Sequence, residues 1–429
     1  MALYQSLKNQ YNSPALKSMG IYTITNFFGK GLSFLLLPLF TNPKYLSPAD
    51  NGLLSLFSQA IIFILPLINL GILQSASADY FKLDKNKFKD FCTTGFTMSV
   101  SMAILAFLIF FFARNFLYKE FSFPPIFIWA IPLVAFFNFC YELVILLIRN
   151  RDEASKYMKV NMTRIITELG LAVILIVVFS WGWVGRVSSI LIAAGVVALY
   201  AIYFLISNGF LSGKIKKEFI YGELKYSVPI IMMQLGMFSL FSSDTFMLAG
   251  ITKNTSEVGI YGMACVFGSI LITLSSALIQ YMVPKINTAL SKKVIDYSEI
   301  KKHFLVYTGI MAIAFLMLLI GVPLVYHLFI NDKYWGGIRY FCFLSTGYFF
   351  WTITIFLYSF LLFFKQKKLL LMLACSALII SLSGNYLFIK FLGFYGAAIS
   401  VCCSYFLVML LTFVATKKYW KALVYSDEK

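Results

Sequence analysis

Long apolar stretches alternate with short polar gaps along the whole chain. Twelve of these stretches have about the 20 residues that a helix needs to cross a bilayer. They lie at Gly20–Phe40, Gly52–Gln74, Phe91–Ala113, Pro124–Ile148, Val160–Trp181, Val187–Asn208, Tyr226–Ile251, Val258–Met282, His303–Tyr326, Tyr340–Phe364, Leu369–Lys390 and Phe394–Thr416. The pattern predicts an all-α integral membrane protein with twelve transmembrane helices.

The polar gaps differ in charge, and the difference predicts an orientation in the membrane. Of the 36 lysines and arginines, 27 lie in or beside the two tails and the even-numbered gaps, and only 8 lie in the odd-numbered gaps. Loops that remain in the cytoplasm keep an excess of positive charge. We therefore expect both termini in the cytoplasm.

Composition narrows the class of protein further. The chain of 429 residues is 60% hydrophobic and 13% charged, which leaves no room for a sizeable water-soluble domain. Its net charge of +18 collects at one predicted membrane face, where anionic lipid headgroups rather than nucleic acid are the expected partner. The seven cysteines and two histidines show no metal-ligand spacing, so we expect neither a metal site nor a cofactor.

The second half of the chain repeats features of the first half at an offset of 207 to 211 residues. Gly52 and Gly259 are 207 residues apart, and Gly182-x-x-Gly185-x-x-x-Ser189 is matched by the segment from Gly393 to Ser400 at an offset of 211. Six spans per half give both halves the same orientation. We therefore predict two parallel six-helix bundles, residues 1–217 and 218–429, around a central cavity.

Few ionisable residues interrupt the spans, and such residues normally face a cavity or a partner. They are Lys30, Glu142, Arg164, Glu168 and Asp244, and Arg149 lies at the cytoplasmic end of span four. Arg164 and Glu168 are four residues apart on one helix, which predicts an ion pair. A purely structural role for that pair is the alternative interpretation.

Lys30 and Asp244 occupy similar depths on the equivalent spans one and seven. At 1.5 Å per residue their depths differ by only about 6 Å. We therefore expect both side chains to line the cavity and to pair across it. The alternative for Asp244 is a capping role near a helix break after Ser242 and Ser243.

Three segments resemble Wzx-type polysaccharide (O-antigen) flippases, within the superfamily that also holds MATE drug exporters. The resemblance covers nearly the whole chain in span number and spacing, although its motifs are degenerate. The segments are Gly29-Lys30-Gly31-Leu32-Ser33 through Pro38-Leu39 to Asp50-Asn51-Gly52; Ser242-Ser243-Asp244-Thr245-Phe246 followed by Val258-Gly259-Ile260-Tyr261-Gly262 and Pro284; and Gly393-Phe394-Tyr395-Gly396-Ala397-Ala398.

This resemblance implies a transporter rather than an enzyme. Its cargo would be a polyprenyl-pyrophosphate-linked oligosaccharide of the lipopolysaccharide type, carried by alternating access from the cytoplasmic to the outer face of the bacterial cytoplasmic (inner) membrane, where the chain itself would lie. Lys30, Arg149 and Arg164 would bind the pyrophosphate. Asp244, Glu142 and Glu168 are the candidates for the cavity or for an antiported H⁺ or Na⁺. A monomer in contact with membrane lipids is expected, with a glycan polymerase as a candidate partner and no nucleic acid.

Three rival classes give different expectations. A MATE-like exporter of small organic cations would share the fold but have an acidic cavity. A major-facilitator carrier would carry Gly-x-x-x-Asp and a basic motif after span two, which Ala78-Asp79-Tyr80-Phe81-Lys82 does not supply. A membrane-embedded glycan polymerase or ligase would need catalytic groups, typically on a large outward loop, and every outward gap here is short.

Overall fold

The computed structural model describes residues 31–291 and 297–424, together with residues 21, 24, 25, 28 and 29. Every regular element within these residues is helical, which confirms the all-α prediction. The helices are α1 (Leu37–Phe40), α2 (Pro48–Asn69), α3 (Ile72–Asp79), α4 (Lys85–Phe112), α5 (Arg114–Phe121), α6 (Pro125–Asn150), α7 (Ala154–Val173, continued by a π-helical turn at Ile174–Val178), α8 (Gly182–Ser207), α9 (Lys217–Thr252), α10 (Thr255–Ser291), α11 (Tyr297–Phe329), a 3₁₀ turn at Asp332–Tyr334, α12 (Gly337–Phe363) and α13 (Lys367–Val424).

Ten helices within the described residues are long and apolar enough to cross a membrane. The last of them holds the predicted spans eleven and twelve, and it is interrupted by non-helical torsions at Gly393, between those two spans. The first predicted span, Gly20–Phe40, includes residues outside the described ones. The chain is therefore a multi-pass membrane protein, while the count of twelve and the two-bundle arrangement stay predictions.

Contacts between Cα atoms divide the chain into two compact units. The first unit comprises residues 57–231 with the described residues up to Leu46, and the second comprises residues 47–56 and those from Met232 onward. Helices α2 and α9 thus contribute residues to both units. The predicted boundary between residues 217 and 218 stays a prediction.

Helix α6 lies at the centre of the first unit. In its most apolar window 67% of the residues are buried within the protein, against 22% for α4. Helix α8 packs on α6 and buries Ala193, Ala194, Ala198 and Ala201. Lipid is as apolar as these side chains, so close packing between small residues, rather than escape from water, stabilises such a contact.

The repeated glycine motif forms the same local structure twice. Gly182 and Gly393 begin the two segments with φ angles of 54° and 55°, in the left-handed region that favours glycine. Three residues later, a Cβ atom on Gly396 would lie 1.9 Å from the carbonyl oxygen of Phe388, and one on Gly185 would lie 3.1 Å from the Cβ of Leu175. In both places the missing side chain lets the new helix turn back closely against the preceding one.

The other repeated glycines, Gly52 of α2 and Gly259 of α10, face each other inside the second unit. A Cβ on Gly52 would lie 1.9 Å from the carbonyl oxygen of Thr255, and a Cβ on Gly259 would lie 2.0 Å from that of Pro48. Pro48 and Thr255 are themselves 207 residues apart. The two helix starts therefore cross backbone to backbone in a reciprocal contact, the pattern expected at a two-fold axis. We call this contact the glycine crossing.

Candidate functional site

Two polar clusters lie among the membrane-spanning helices, one in each unit. The first, which we call the arginine cluster, contains Asn138, Tyr141 and Glu142 of α6 and Asn161 and Arg164 of α7. The α6 residues are three and four positions apart, and the α7 residues are three apart, so each set occupies one face of its helix. The two faces meet because α6 and α7 pack against each other.

Arg164 is held in place by neutral groups. Its Nη2 donates a hydrogen bond of 2.7 Å to Oδ1 of Asn138, and its guanidinium lies over the ring of Tyr141, 4.5 Å from the centroid. No carboxylate within the described residues forms an ion pair with it. A guanidinium has five N–H donors, so most of them remain available to an anionic ligand.

A chain of hydrogen bonds fixes the ring beneath the guanidinium. The hydroxyl of Tyr141 donates to Oδ1 of Asn161 at 2.6 Å, and Nδ2 of Asn161 donates to the carbonyl of Tyr157 at 2.8 Å. Asn161 is buried, which protects these bonds from competition by water. Arg164 is therefore positioned before any ligand arrives, and this lowers the entropic cost of binding.

Glu142 and Arg149 complete the charges around the cluster. Both lie on α6, seven residues apart and thus on nearly the same helix face. Glu142 is half-buried, and its electrostatic interaction with Arg164 is stronger than its interaction with Arg149. Arg149 is exposed near the end of the helix. We count Arg149 as part of the arginine cluster from here on, and two guanidinium groups against one carboxylate give the cluster a net positive charge.

The predicted ion pair between Arg164 and Glu168 is wrong. Glu168 instead pairs with Arg186 at the start of α8, with 2.9 Å between Oε1 and Nη2. The guanidinium of Arg186 also lies 5.1 Å from the ring centroid of Phe40. An arginine that precedes glutamate by four residues is in the weaker orientation on a helix, and partners on α6 and α8 compete successfully for the two side chains.

A double-mutant cycle tests this reassignment. We expect Glu168→Gln and Arg186→Gln each to lower the melting temperature of the detergent-purified protein, with the double variant no less stable than the worse single one. Both side chains are about one-fifth exposed, so the coupling should be roughly 1 kcal/mol. The control pair, Glu168→Gln with Arg164→Gln, should be additive. Coupling in the control pair and none between Glu168 and Arg186 would contradict the assignment.

The second cluster, which we call the serine–aspartate cluster, surrounds Asp244 of α9. Asp244 is 3% exposed, and its carboxylate accepts hydrogen bonds from the Tyr261 hydroxyl of α10 and from the backbone N–H of Thr245 at 2.8 Å. Asp244 forms no ion pair with any residue that the structure describes. Lys30 lies outside the described residues, so its cavity role and its pairing with Asp244 stay predictions.

The remainder of this cluster joins α9 to α13 through buried oxygen atoms. Nδ2 of Asn385 donates to Oγ of Ser243 at 3.0 Å, and Oγ of Ser381 donates to the carbonyl of Ser239 at 2.6 Å. Oδ1 of Asn385 is buried and accepts no hydrogen bond from the described part of the chain. Carboxylate, hydroxyl and amide oxygens are the ligands that hard cations prefer.

Sequence reasoning missed Glu223, a buried carboxylate on α9 that is 7% exposed. Ser75 donates a 2.9 Å hydrogen bond to its Oε2, and one helical turn later Ser227 donates to the carbonyl of Leu70. Leu70 and Gly71 have positive φ angles and separate α2 from α3 inside the predicted span two. Two features of the sequence could have pointed to this site: Gly71 inside span two, and the spacing of four residues between Glu223 and Ser227. Glu223 was overlooked because it precedes the apolar run of span seven, and only ionisable residues within the spans were considered.

Comparison with known proteins gives a family match and a fold match. A family model described as "Polysaccharide biosynthesis protein" matches residues 15–286, more than half of the chain. No curated protein sequence matches. One similar solved structure is the inward-facing conformation of a multidrug resistance MATE family transporter of the MOP superfamily. It is 15% identical, with a TM-score of 0.75 over 95% of this chain and 98% of that one.

Two further structures share the fold. The outward-facing conformation of a multidrug resistance MATE family transporter of the MOP superfamily is 15% identical, with a TM-score of 0.60 over 97% of this chain and 95% of that one. A MOP superfamily transporter from Pyrococcus furiosus, described by the reverse polarity of its binding pocket, is 16% identical, with a TM-score of 0.56 over 96% and 94% of the two chains. These TM-scores show that the chain shares its fold with the three structures.

Proposed function

Because the chain belongs to the polysaccharide biosynthesis protein family, which includes the Wzx-type flippases, we propose that it flips a polyprenyl-pyrophosphate-linked oligosaccharide. The direction would be from the cytoplasmic to the outer face of the bacterial inner membrane, with both chain termini in the cytoplasm. The glycan would be an O-antigen or another surface saccharide. The chain would act as a monomer, supplying its product to a glycan polymerase.

The observation that carries this proposal is the net positive charge of the arginine cluster. A pyrophosphate is anionic and cannot enter a membrane interior without compensating charge. Arg164 offers a planar set of donors that matches phosphate oxygens, and among the residues that the structure describes it forms no ion pair. In the proposal Arg149 meets the headgroup near the helix end, Arg164 binds it deeper, and Lys30 supplies a third cation.

The serine–aspartate cluster supports a second role, the coupling of transport to H⁺ or Na⁺. Asp244 is a buried carboxylate without an ion pair among the described residues, and Asn385 presents an unsatisfied oxygen nearby on α13. A bound proton or sodium ion would compensate that carboxylate. Glu142 is the carboxylate beside Arg149 and Arg164, the arginines that would bind the pyrophosphate. Glu168 pairs with Arg186, and we therefore assign it a structural role.

A MATE-like exporter of organic cations is the competing function, and the same charge argues against it. At the arginine cluster an organic cation would need a carboxylate that is not already neutralised, and Glu142 faces two arginines, while the proposal assigns Asp244 to the coupling ion. The fold does not choose between the two functions, since a transporter with this fold is described by the reverse polarity of its binding pocket.

Reconstitution of the full chain tests the proposal. Proteoliposomes would carry a fluorescent polyprenyl-pyrophosphate glycan, and a membrane-impermeant quencher would report how fast the glycan changes leaflet. We expect protein-dependent flipping of this lipid and none of a neutral polyprenyl glycan, which lacks the pyrophosphate. Uptake of an organic cation without glycan flipping would replace the proposal with the exporter function.

A further inference from the structure

A surface groove between α7 and α8 has no part in the transport site proposed above. It has a volume of about 360 Å³, within the usual range for a small-ligand site. Lys156, Lys159, Thr163 and Tyr200 supply its polar lining, and the remainder is lined by valines at positions 160, 196 and 197. We call it the lysine groove.

The groove changes from charged to apolar along the helix axis. Lys156 and Lys159 lie in the first two turns of α7, and Thr163 lies about 6 Å beyond Lys159 at 1.5 Å per residue. On the antiparallel α8, Tyr200 lies two turns before the helix end, and Val196 lies one turn deeper. Apart from Val160, which lies beside Lys159, the ammonium groups, hydroxyls and methyl groups thus follow one another along the helix axis from the start of α7 inward. A glycerophospholipid presents its phosphate, its esters and its acyl chains in the same order.

Most polar groups of the groove have no partner within the described residues. Lys156 forms an ion pair with Glu153, with 2.8 Å between Nζ and Oε2, but Lys159 forms no ion pair with any described residue. No residue of the described chain forms a hydrogen bond with the side-chain hydroxyls of Thr163 or Tyr200. All four polar side chains are exposed. The groove therefore offers uncommitted donors and one uncompensated positive charge.

We propose that the lysine groove binds the headgroup of an anionic glycerophospholipid, such as phosphatidylglycerol. Basic pockets between helices at the cytoplasmic side of a membrane protein suit anionic lipid headgroups, and the start of α7 carries the positive charge that predicts this side. Val196 is 42% exposed, so the apolar end of the groove is open at the protein surface. Arg164 instead contacts Asn138 and Tyr141 of α6. The inference does not depend on what the protein transports.

Native mass spectrometry of the purified full chain tests this inference. Each lysine near an anionic lipid contributes a factor of roughly five to binding, and Glu153 offsets part of that at Lys156. We expect the Lys156→Gln/Lys159→Gln variant to bind phosphatidylglycerol about tenfold more weakly than the native chain. The matched control is Lys85→Gln/Lys87→Gln, which removes the same charge from exposed residues at the start of α4, outside the groove.

A second variant separates the groove from diffuse surface charge. Val196→Trp fills the groove and leaves both lysines intact, so it should also weaken phosphatidylglycerol binding while phosphatidylcholine binding stays unchanged. Three results would overturn the inference: equal binding by the groove variants and the native chain, an equal loss in the α4 control, or displacement of phosphatidylglycerol by an equimolar polyprenyl phosphate. The last would assign the groove to the carrier lipid.

Discussion

The Arg164→Ala variant is expected to lose glycan flipping by roughly 100-fold while the protein is still made and inserted normally. The charge pair at stake is the one that Arg164 would form with the pyrophosphate of the bound glycan. Removing one partner of such a hydrogen-bonded charge pair typically costs about 2–5 kcal/mol, and about 1.4 kcal/mol corresponds to a factor of ten. The direct contacts of Arg164 are with neutral groups on α6, and Glu142 keeps Arg149 as an electrostatic partner, so the loss of Arg164 leaves no charge without a partner. The defect should therefore lie in transport and not in folding.

Arg164→Lys and Arg114→Ala make this result specific. Lysine keeps the charge but not the planar set of donors, so an intermediate flipping rate is expected. Arg114 starts α5 and lies over the ring of Phe111, away from the arginine cluster, and its replacement should leave flipping intact. The assay is the proteoliposome measurement with each variant at equal protein content. Normal flipping by Arg164→Ala would remove this residue from the substrate site.

Gly259→Ala is expected to destabilise the protein by about 1–3 kcal/mol, the usual cost of forcing extra atoms into a packed contact. Its new Cβ would lie 2.0 Å from the carbonyl oxygen of Pro48. Backbone atoms cannot turn aside as a flexible side chain can, so the helices must separate by about an ångström or more. Gly52→Ala should have a similar effect, because its Cβ meets the carbonyl of Thr255 at 1.9 Å.

Gly321→Ala is the matched control for the glycine crossing. Beyond its neighbours and the backbone of its own helix turns, no atom of the described residues lies within 4 Å of a Cβ placed on Gly321, which sits inside α11. Alanine is the better helix former, so this variant should be as stable as the native protein or slightly more stable. Thermal unfolding in detergent measures all three proteins. A Gly259→Ala variant as stable as Gly321→Ala would show that the crossing does not contribute to stability.

The spans could be predicted from sequence because the bilayer imposes their length and apolar character. The turn glycines could be predicted for a similar reason, since Gly182 and Gly393 occupy torsions that other residues rarely adopt. A backbone requirement of this kind selects glycine at one position, and a glycine occupies the equivalent position in both halves.

The partners of polar side chains could not be predicted in the same way. Arg164 and Glu168 were correctly recognised as unusual in a span, but their contacts depend on which helices lie beside α7. Arg186 reaches Glu168 only because α8 turns back along α7. Glu223 was missed since it precedes the apolar run, and only the fold shows that Ser75 and the α2–α3 break bury it.

The glycine crossing also bears on how such a chain arises by gene duplication. Each glycine admits the backbone of the other helix, and the residues of one contact are related to those of the other by the same offset of 207, Gly52 to Gly259 and Pro48 to Thr255. A self-complementary contact of this type is what two identical subunits form across a two-fold axis. One glycine in an ancestral half-length subunit would therefore serve both sides of a homodimer, and joining two copies of the gene would preserve the contact without any new substitution.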